Sequence, residues 1–258
     1  MDLATLIGLF LGFGGLLGGF ALEGGHMTSL LILSPFIIVF GGTMGAVILS
    51  FTMEEIKKMP SFFKRVFVSK EINYLEIMES LVSTADRARR EGLLSIENQL
   101  SSIDNEFMVR SLQVVIDGTD PELARGMLEM EIEAYEKEQK VGADMFNAAG
   151  GYSPTMGIIG TVMGLVHVLG NMSDPASLAP AIAAAFIATL YGVSFANVMW
   201  LPFGTKIKVK SGKEMLMMEM IMEGVLSIQA GENPRIISEK LATFLPADMR
   251  KNMQSANE

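Results

Sequence analysis

Gly150-Gly151-Tyr152-Ser153-Pro154-Thr155-Met156-Gly157-Ile158-Ile159-Gly160-Thr161-Val162-Met163-Gly164-Leu165-Val166 is the stretch that decides the fold. No charged side chain interrupts it, and with its neighbours it makes an uncharged run over residues 148–172. A bilayer core about 30 Å thick is crossed by about 20 apolar residues in a helix. Three more windows meet that length without one Asp, Glu, Lys or Arg: residues 3–22, 30–51 and 178–201. Half of the 258 residues are apolar and only 19% are charged. With a mean hydropathy of +0.37, that excludes an ordinary soluble domain and predicts an all-α integral membrane protein with four spans.

Working outward from the spans, the charges set the plan. All 20 Lys and Arg fall in two segments, 12 between Lys57 and Lys140 and 8 between Lys206 and Lys251. The positive-inside rule then puts the central loop, both termini and the tail in the cytoplasm. Residues 23–29 and 173–177 become short external turns. Four segments follow: a transmembrane hairpin at 1–51, a helical cytoplasmic domain at 52–147, a second transmembrane hairpin at 148–201, and a helical cytoplasmic tail at 202–258. The first span lacks a basic leader and a small-residue cleavage site, so it reads as a retained anchor. The central segment holds 19 acids against its 12 bases, which argues against nucleic acid as a partner.

The central segment repeats apolar residues at helical spacing: Leu75, Met78, Leu81 and Val82, then Leu100, Ile103 and Phe107, then Leu123, Met127, Met130 and Ala134. Asp117-Gly118-Thr119-Asp120-Pro121 reads as a helix stop, an N-cap and a first-turn proline. From Pro121 no strong breaker appears before Gly150, so one helix is expected to run into the third span. The run after Pro202 is expected to extend the fourth span similarly, with Pro202 marking that span's cytoplasmic end. Lys206-Ile207-Lys208-Val209-Lys210 alternates like a strand but reads more simply as a cytoplasmic anchor. Glycines at 8, 12, 14, 15, 18 and 19, and at 41, 42 and 45, predict close helix contact and also suit an oligomer.

An ion path normally needs an ionisable group or a set of oxygen ligands at depth. These spans offer hydroxyls, His167 and backbone freed by proline, so if the protein conducts ions, another chain must supply the carboxylate. His167, toward the outer end of its span, reads as polar packing. With no cysteine, no metal-ligand cluster, no phosphate loop and no nucleophile–base pair, neither an enzyme nor a bound cofactor is indicated.

Several stretches resemble the MotA/PomA family of flagellar stator subunits. They are the third span, Phe186-Ile187-Ala188-Thr189-Leu190-Tyr191-Gly192, Ala196-Asn197, Phe40-Gly41-Gly42-Thr43 and Ala88-Arg89-Arg90-Glu91-Gly92-Leu93-Leu94-Ser95-Ile96-Glu97. The resemblance implies a homo-oligomeric ring, a pentamer, around a dimer of a MotB/PomB-type partner, with the second hairpin lining the pore. That partner's single span brings the ion-binding aspartate, and its outer domain grips peptidoglycan. Ion flow would turn the ring against the rotor protein FliG. By position the resemblance assigns Pro154 and Pro202 to ion flow and torque, and Arg89 or Arg90 with Glu97 to the rotor. Helix-end charge compensation is the competing account of those charges, Arg89 and Arg90 at a C-terminus and Glu97 at an N-terminus. Thr161 and Thr189 point to sodium, whereas Ala188 stands where a second hydroxyl would be expected, so the proton stays open. A TolQ/ExbB-like energiser is the nearest alternative, and four spans argue against it.

Overall fold

The computed structural model describes residues 2–68, 71–170, 175–245 and 250. Among them every regular element is helical. In chain order they are α1 (Leu3–Leu22), a 3-10 turn (Met27–Leu30), α2 (Leu33–Phe36), a π-turn (Ile37–Gly41), α3 (Gly42–Ser50), α4 (Met53–Phe67), α5 (Tyr74–Glu91), a 3-10 run (Leu93–Ser102) and α6 (Glu106–Ile116). Then come α7 (Pro121–Gly170), α8 (Pro175–Phe195), a π-turn (Ala196–Trp200), α9 (Leu201–Gln229), α10 (Pro234–Leu241) and a last 3-10 turn (Ala242–Phe244). Among the described residues four helical runs are long and apolar enough to cross a membrane, Leu3–Leu22, Leu33–Ser50, Pro121–Gly170 and Leu178–Gln229, and each overlaps one of the four windows above.

The chain divides into two compact units, Met1–Ser69 with Gln139–Val209 and Lys70–Glu138 with Lys210–Glu258. The first holds the four spans together with α4. Its core is aromatic. Trp200 is 2% exposed, and Phe63 meets Phe146 at 4.8 Å, nearly perpendicular, while Phe40, Phe63 and Phe146 all ring Trp200 within 6.2 Å. Each such pair adds about 0.5–1.5 kcal/mol beyond burial. Without a hydrophobic drive between spans in lipid, that packing has unusual weight.

The continuous helix expected from Pro121 forms. Asp120 caps it, its carboxylate accepting from the Glu122 and Leu123 amides at 3.0 and 3.4 Å. Gly118, at φ +76°, makes the preceding reversal that only glycine adopts cheaply. The run after Pro202 extends the fourth helix as expected, and Pro202 itself is the second residue of α9. A π-turn stands just before it: the Leu201 amide bonds back to the Ala196 carbonyl, which reorganises the ladder where proline lacks a donor. Lys206, Lys208 and Lys210 are accordingly helical.

The second unit packs α5, α6, α10 and parts of α7 and α9 around Met78, Leu81, Leu112, Leu128, Ile221 and Ile237. At the start of α7 the buried stripe is Ala124, Leu128 and Ile132, whereas Leu123, Met127 and Met130 are 59, 42 and 62% exposed and Ala134 also faces out. Two apolar stripes share that helix. Spacing identifies the helix but not which stripe turns inward. The Leu100–Phe107 run likewise divides: a 3-10 run ends at Ser102, and Asn105 starts α6 by accepting from the Met108 amide at 2.9 Å. Glu223 binds Lys240 and Arg125, with Glu232 on the far side of Lys240. The Lys240 hydrogen bond holds the Glu223 carboxyl below the usual carboxylate range, and Glu223 in turn raises Lys240.

The turn at 23–29 is present, with Gly24 at φ +84°. Residues 171 and 172 at the end of the third window, 173 and 174 of the expected second turn, and the end of the tail from 246 apart from Arg250, lie outside the described residues.

Candidate functional site: a hydroxyl and carbonyl cluster where two spans cross

The crossing of α7 and α8 is built by small residues. A Cβ on Gly157 would sit 2.8 Å from the Ala188 carbonyl oxygen and 3.3 Å from the Gly192 Cα, and one on Gly192 would sit 2.5 Å from the Ser153 carbonyl oxygen. Gly160 and Gly164 face the Ala188 and Ala185 methyls in the same way. The backbones therefore touch. Buried Ser153 locks the register by donating to the Gly192 carbonyl at 2.9 Å.

That proximity gathers four oxygens. Thr161 Oγ1 lies 2.5 Å from Thr189 Oγ1, 2.8 Å from the Ala185 carbonyl and 3.1 Å from the Gly157 carbonyl. Thr189 Oγ1 reaches the same Gly157 carbonyl at 3.4 Å. Two hydroxyl protons serve four oxygens, so the cluster is rich in lone pairs, and both threonines are only half-buried. Such a group can exchange its internal hydrogen bonds for a partly dehydrated cation.

Thr161 and Thr189 are thus brought together. Pro154 lies on the same helix about two turns before Thr161, half-buried, without breaking α7. Pro202 is not part of the cluster. It is exposed at the second residue of α9, where neighbouring Leu201 packs on Gly150. Ser153, Gly157, Gly192 and the Ala185 carbonyl were missed by residue-type reasoning, although the glycine spacing of the third span was a usable signal for them. His167 is exposed near the end of α7.

The charges assigned to the rotor lie in the second unit. Arg89 and Arg90 occupy the last turn of α5, before Gly92 at φ +85°. Arg90 pairs with Asp86 at 2.9 Å across one helical turn, while Arg89 has no ion-pair partner among the described residues. Glu97 is exposed in the middle of the 3-10 run, not at a helix start. Dipole compensation therefore accounts for the arginines but not for Glu97.

Comparison with known proteins agrees with this arrangement. Residues 6–92 match the model of the motility protein A N-terminal region, and residues 99–220 match the MotA/TolQ/ExbB proton channel family. Motility protein A of Bacillus subtilis is 38% identical over 100% of this chain and 96% of its own length. The flagellar MotAB stator complex of Bacillus subtilis superposes with a TM-score of 0.89 at 38% identity, covering 96% of this chain and 98% of that one. The C. jejuni MotAB structure gives 0.91 at 32%, covering 96 and 97%. The match to Motility protein A over the entire chain excludes the TolQ/ExbB alternative, and the chain belongs to the MotA family of flagellar motor stator subunits.

Proposed function

We propose that this chain passes sodium ions along the face of α7 and α8 that carries Thr161 and Thr189, and converts that flow into rotation of the flagellar rotor. The observation that carries the reading is the four-oxygen cluster, set in spans that hold no carboxylate of their own. A single-span partner of the MotB type, anchored to peptidoglycan, supplies the carboxylate. A dimer of it sits inside a ring of five copies of this chain. Both termini lie in the cytoplasm, an orientation supported by the placement of all 20 Lys and Arg. The exposed charges Arg89, Arg90 and Glu97 then face FliG.

A proton needs only the partner's carboxylate and a water route, whereas sodium must replace the water oxygens it sheds with oxygens from the protein. Convergence of four oxygens favours sodium. Ala188, 1% exposed and packed against Gly160, favours the proton, because its position adds no fifth oxygen. Ion flux is measured with each chain alone and with both together. The expected result is flux only from the pair, and equal specific flux from this chain by itself would overturn the reading.

A further inference from the structure

We propose that the outward edge of α4 binds the anionic headgroups of phospholipids in the leaflet that borders it. This helix joins two span ends. It begins directly after Phe51, where Thr52 and Glu55 form a reciprocal cap that holds the Glu55 carboxyl below its usual range. It ends against the start of the first span, where the Asp2 amide donates to the Phe67 carbonyl at 2.7 Å and the Thr5 hydroxyl to the Val66 carbonyl at 3.3 Å. Spans one and two are antiparallel, so these two ends share one membrane face. A helix of 15 residues, about 22 Å long, that joins them runs along that face and not away from it.

The inward side is fixed by packing. Met59, Phe62 and Val66 are buried, and the Phe62 ring fills the place a Cβ on Gly142 would take. Lys57, Ser61 and Lys64 are exposed on the opposite side, and Lys58 is exposed at its flank. Lys57 and Lys64, like Lys58 and Arg65, are seven residues apart, which stacks each pair on one face two turns apart. Against these four bases the helix has Glu54 and Glu55, and Glu55 is engaged in the cap. Leu49, 89% exposed, and Ile48 stand one turn before the helix, where acyl chains would lie. Apolar surface continuous with a basic row at headgroup depth fits a phospholipid better than a protein partner.

The inference rests on the orientation proposed above only for which leaflet is meant. Binding in detergent does not depend on orientation, so failure of either leaves the other standing. The complex with the MotB-type partner is purified in a zwitterionic detergent and offered phosphatidylglycerol or phosphatidylcholine, and retained lipid is counted by mass spectrometry. Wild type is expected to retain phosphatidylglycerol preferentially, and Lys57→Gln/Lys64→Gln about tenfold less of it. Lys57→Arg/Lys64→Arg should retain it as wild type does, which separates charge from folding. Millimolar inorganic phosphate should not displace the lipid. Equal retention by the Gln variant, or no headgroup preference, overturns the proposal. Displacement by phosphate reassigns the edge to free anions, and lost motility with unchanged lipid reassigns it to a protein partner.

Discussion

Two spans are rich in glycine and use it in opposite ways. In α7, Gly157, Gly160 and Gly164 are filled by the backbone and methyl groups of α8. In α1, only Gly12 has a neighbour, the Val198 side chain, while Gly8, Gly14, Gly15, Gly18 and Gly19 meet nothing within 4 Å. The helix has no buried residue along its length. Of the close helix contact that glycine spacing predicts, the part made within the chain is realised in the third span, while the first span keeps the glycine face that also suits an oligomer. Small residues permit close approach but do not say what approaches. The seam in α7 is occupied by the chain itself and shapes the oxygen cluster, whereas the face of α1 is left to its surroundings.

Breaking that contrast is the test with the largest effect. Gly157→Leu places a side chain on the backbone of α8, where no rotamer relieves the clash, and should abolish motility and ion flux. Gly157→Ala should cost about 1–3 kcal/mol of helix association and reduce flux strongly. Gly14→Ala meets open space and should stay within about 0.5 kcal/mol. Thermal melts and flux of the three variants, at matched membrane levels, check the ordering. If Gly14→Ala proves as harmful as Gly157→Ala, the two faces are not different in kind.

The next effect sharpens what the seam is for. Thr161→Ala and Thr189→Ala each remove one of four oxygens without disturbing the glycine contacts. Each is expected to raise the sodium concentration for half-maximal swimming speed several-fold, at fixed pH and fixed membrane potential. Ser replacements, which keep the oxygen, should restore it. Speed that ignores sodium but falls when the proton gradient is removed would assign the motor to protons and the threonines to helix bonding.

The four spans and the long helix from Pro121 were legible because both rest on signals strong enough to survive packing: an uncharged window of spanning length, and a cap followed by proline. Thr161 and Thr189 were legible as residue types. Their meeting depends on Gly157 and Gly192 letting two backbones touch, a pairing between helices that spacing within one helix does not reveal. The inward stripe Ala124, Leu128 and Ile132 was not singled out, because Leu123, Met127 and Met130 are equally apolar at helical spacing on the same helix. The π-turn before Pro202 was hidden because such a turn leaves no fixed residue signature.

A smaller, more specific effect concerns the exposed charges. Reversing Arg89 and Glu97 should impair motility severalfold while membrane level and ring assembly hold, since neither side chain is buried. Rescue by opposite reversals on FliG is the diagnostic. Motility losses that always track loss of assembled protein would return both residues to ordinary surface.

The smallest effect contrasts the second unit, joined by side-chain ion pairs, with the seam, joined by backbone. Lys240 reaches Glu223 at 2.5 Å and Ser227 Oγ at 3.1 Å, tying α10 to α9. Glu223 is depressed by this contact, so its contribution to stability is present above its unfolded value near 4.5 and is lost as pH falls through the folded one. Lys240 is raised, so its contribution is present below 10.5 and is lost as pH climbs past its folded value. Between about pH 6 and 9 both are charged and the pair is flat. Because Lys240 is 38% exposed, solvent screening limits the contribution to roughly 1 kcal/mol. Lys240→Met should therefore speed hydrogen exchange in α10 about fivefold at pH 7 and remove most of the acceleration that wild type shows on going from pH 6 to 4, after correction for intrinsic exchange. An acid response in α10 unchanged by that substitution would place the titrating group elsewhere in the unit.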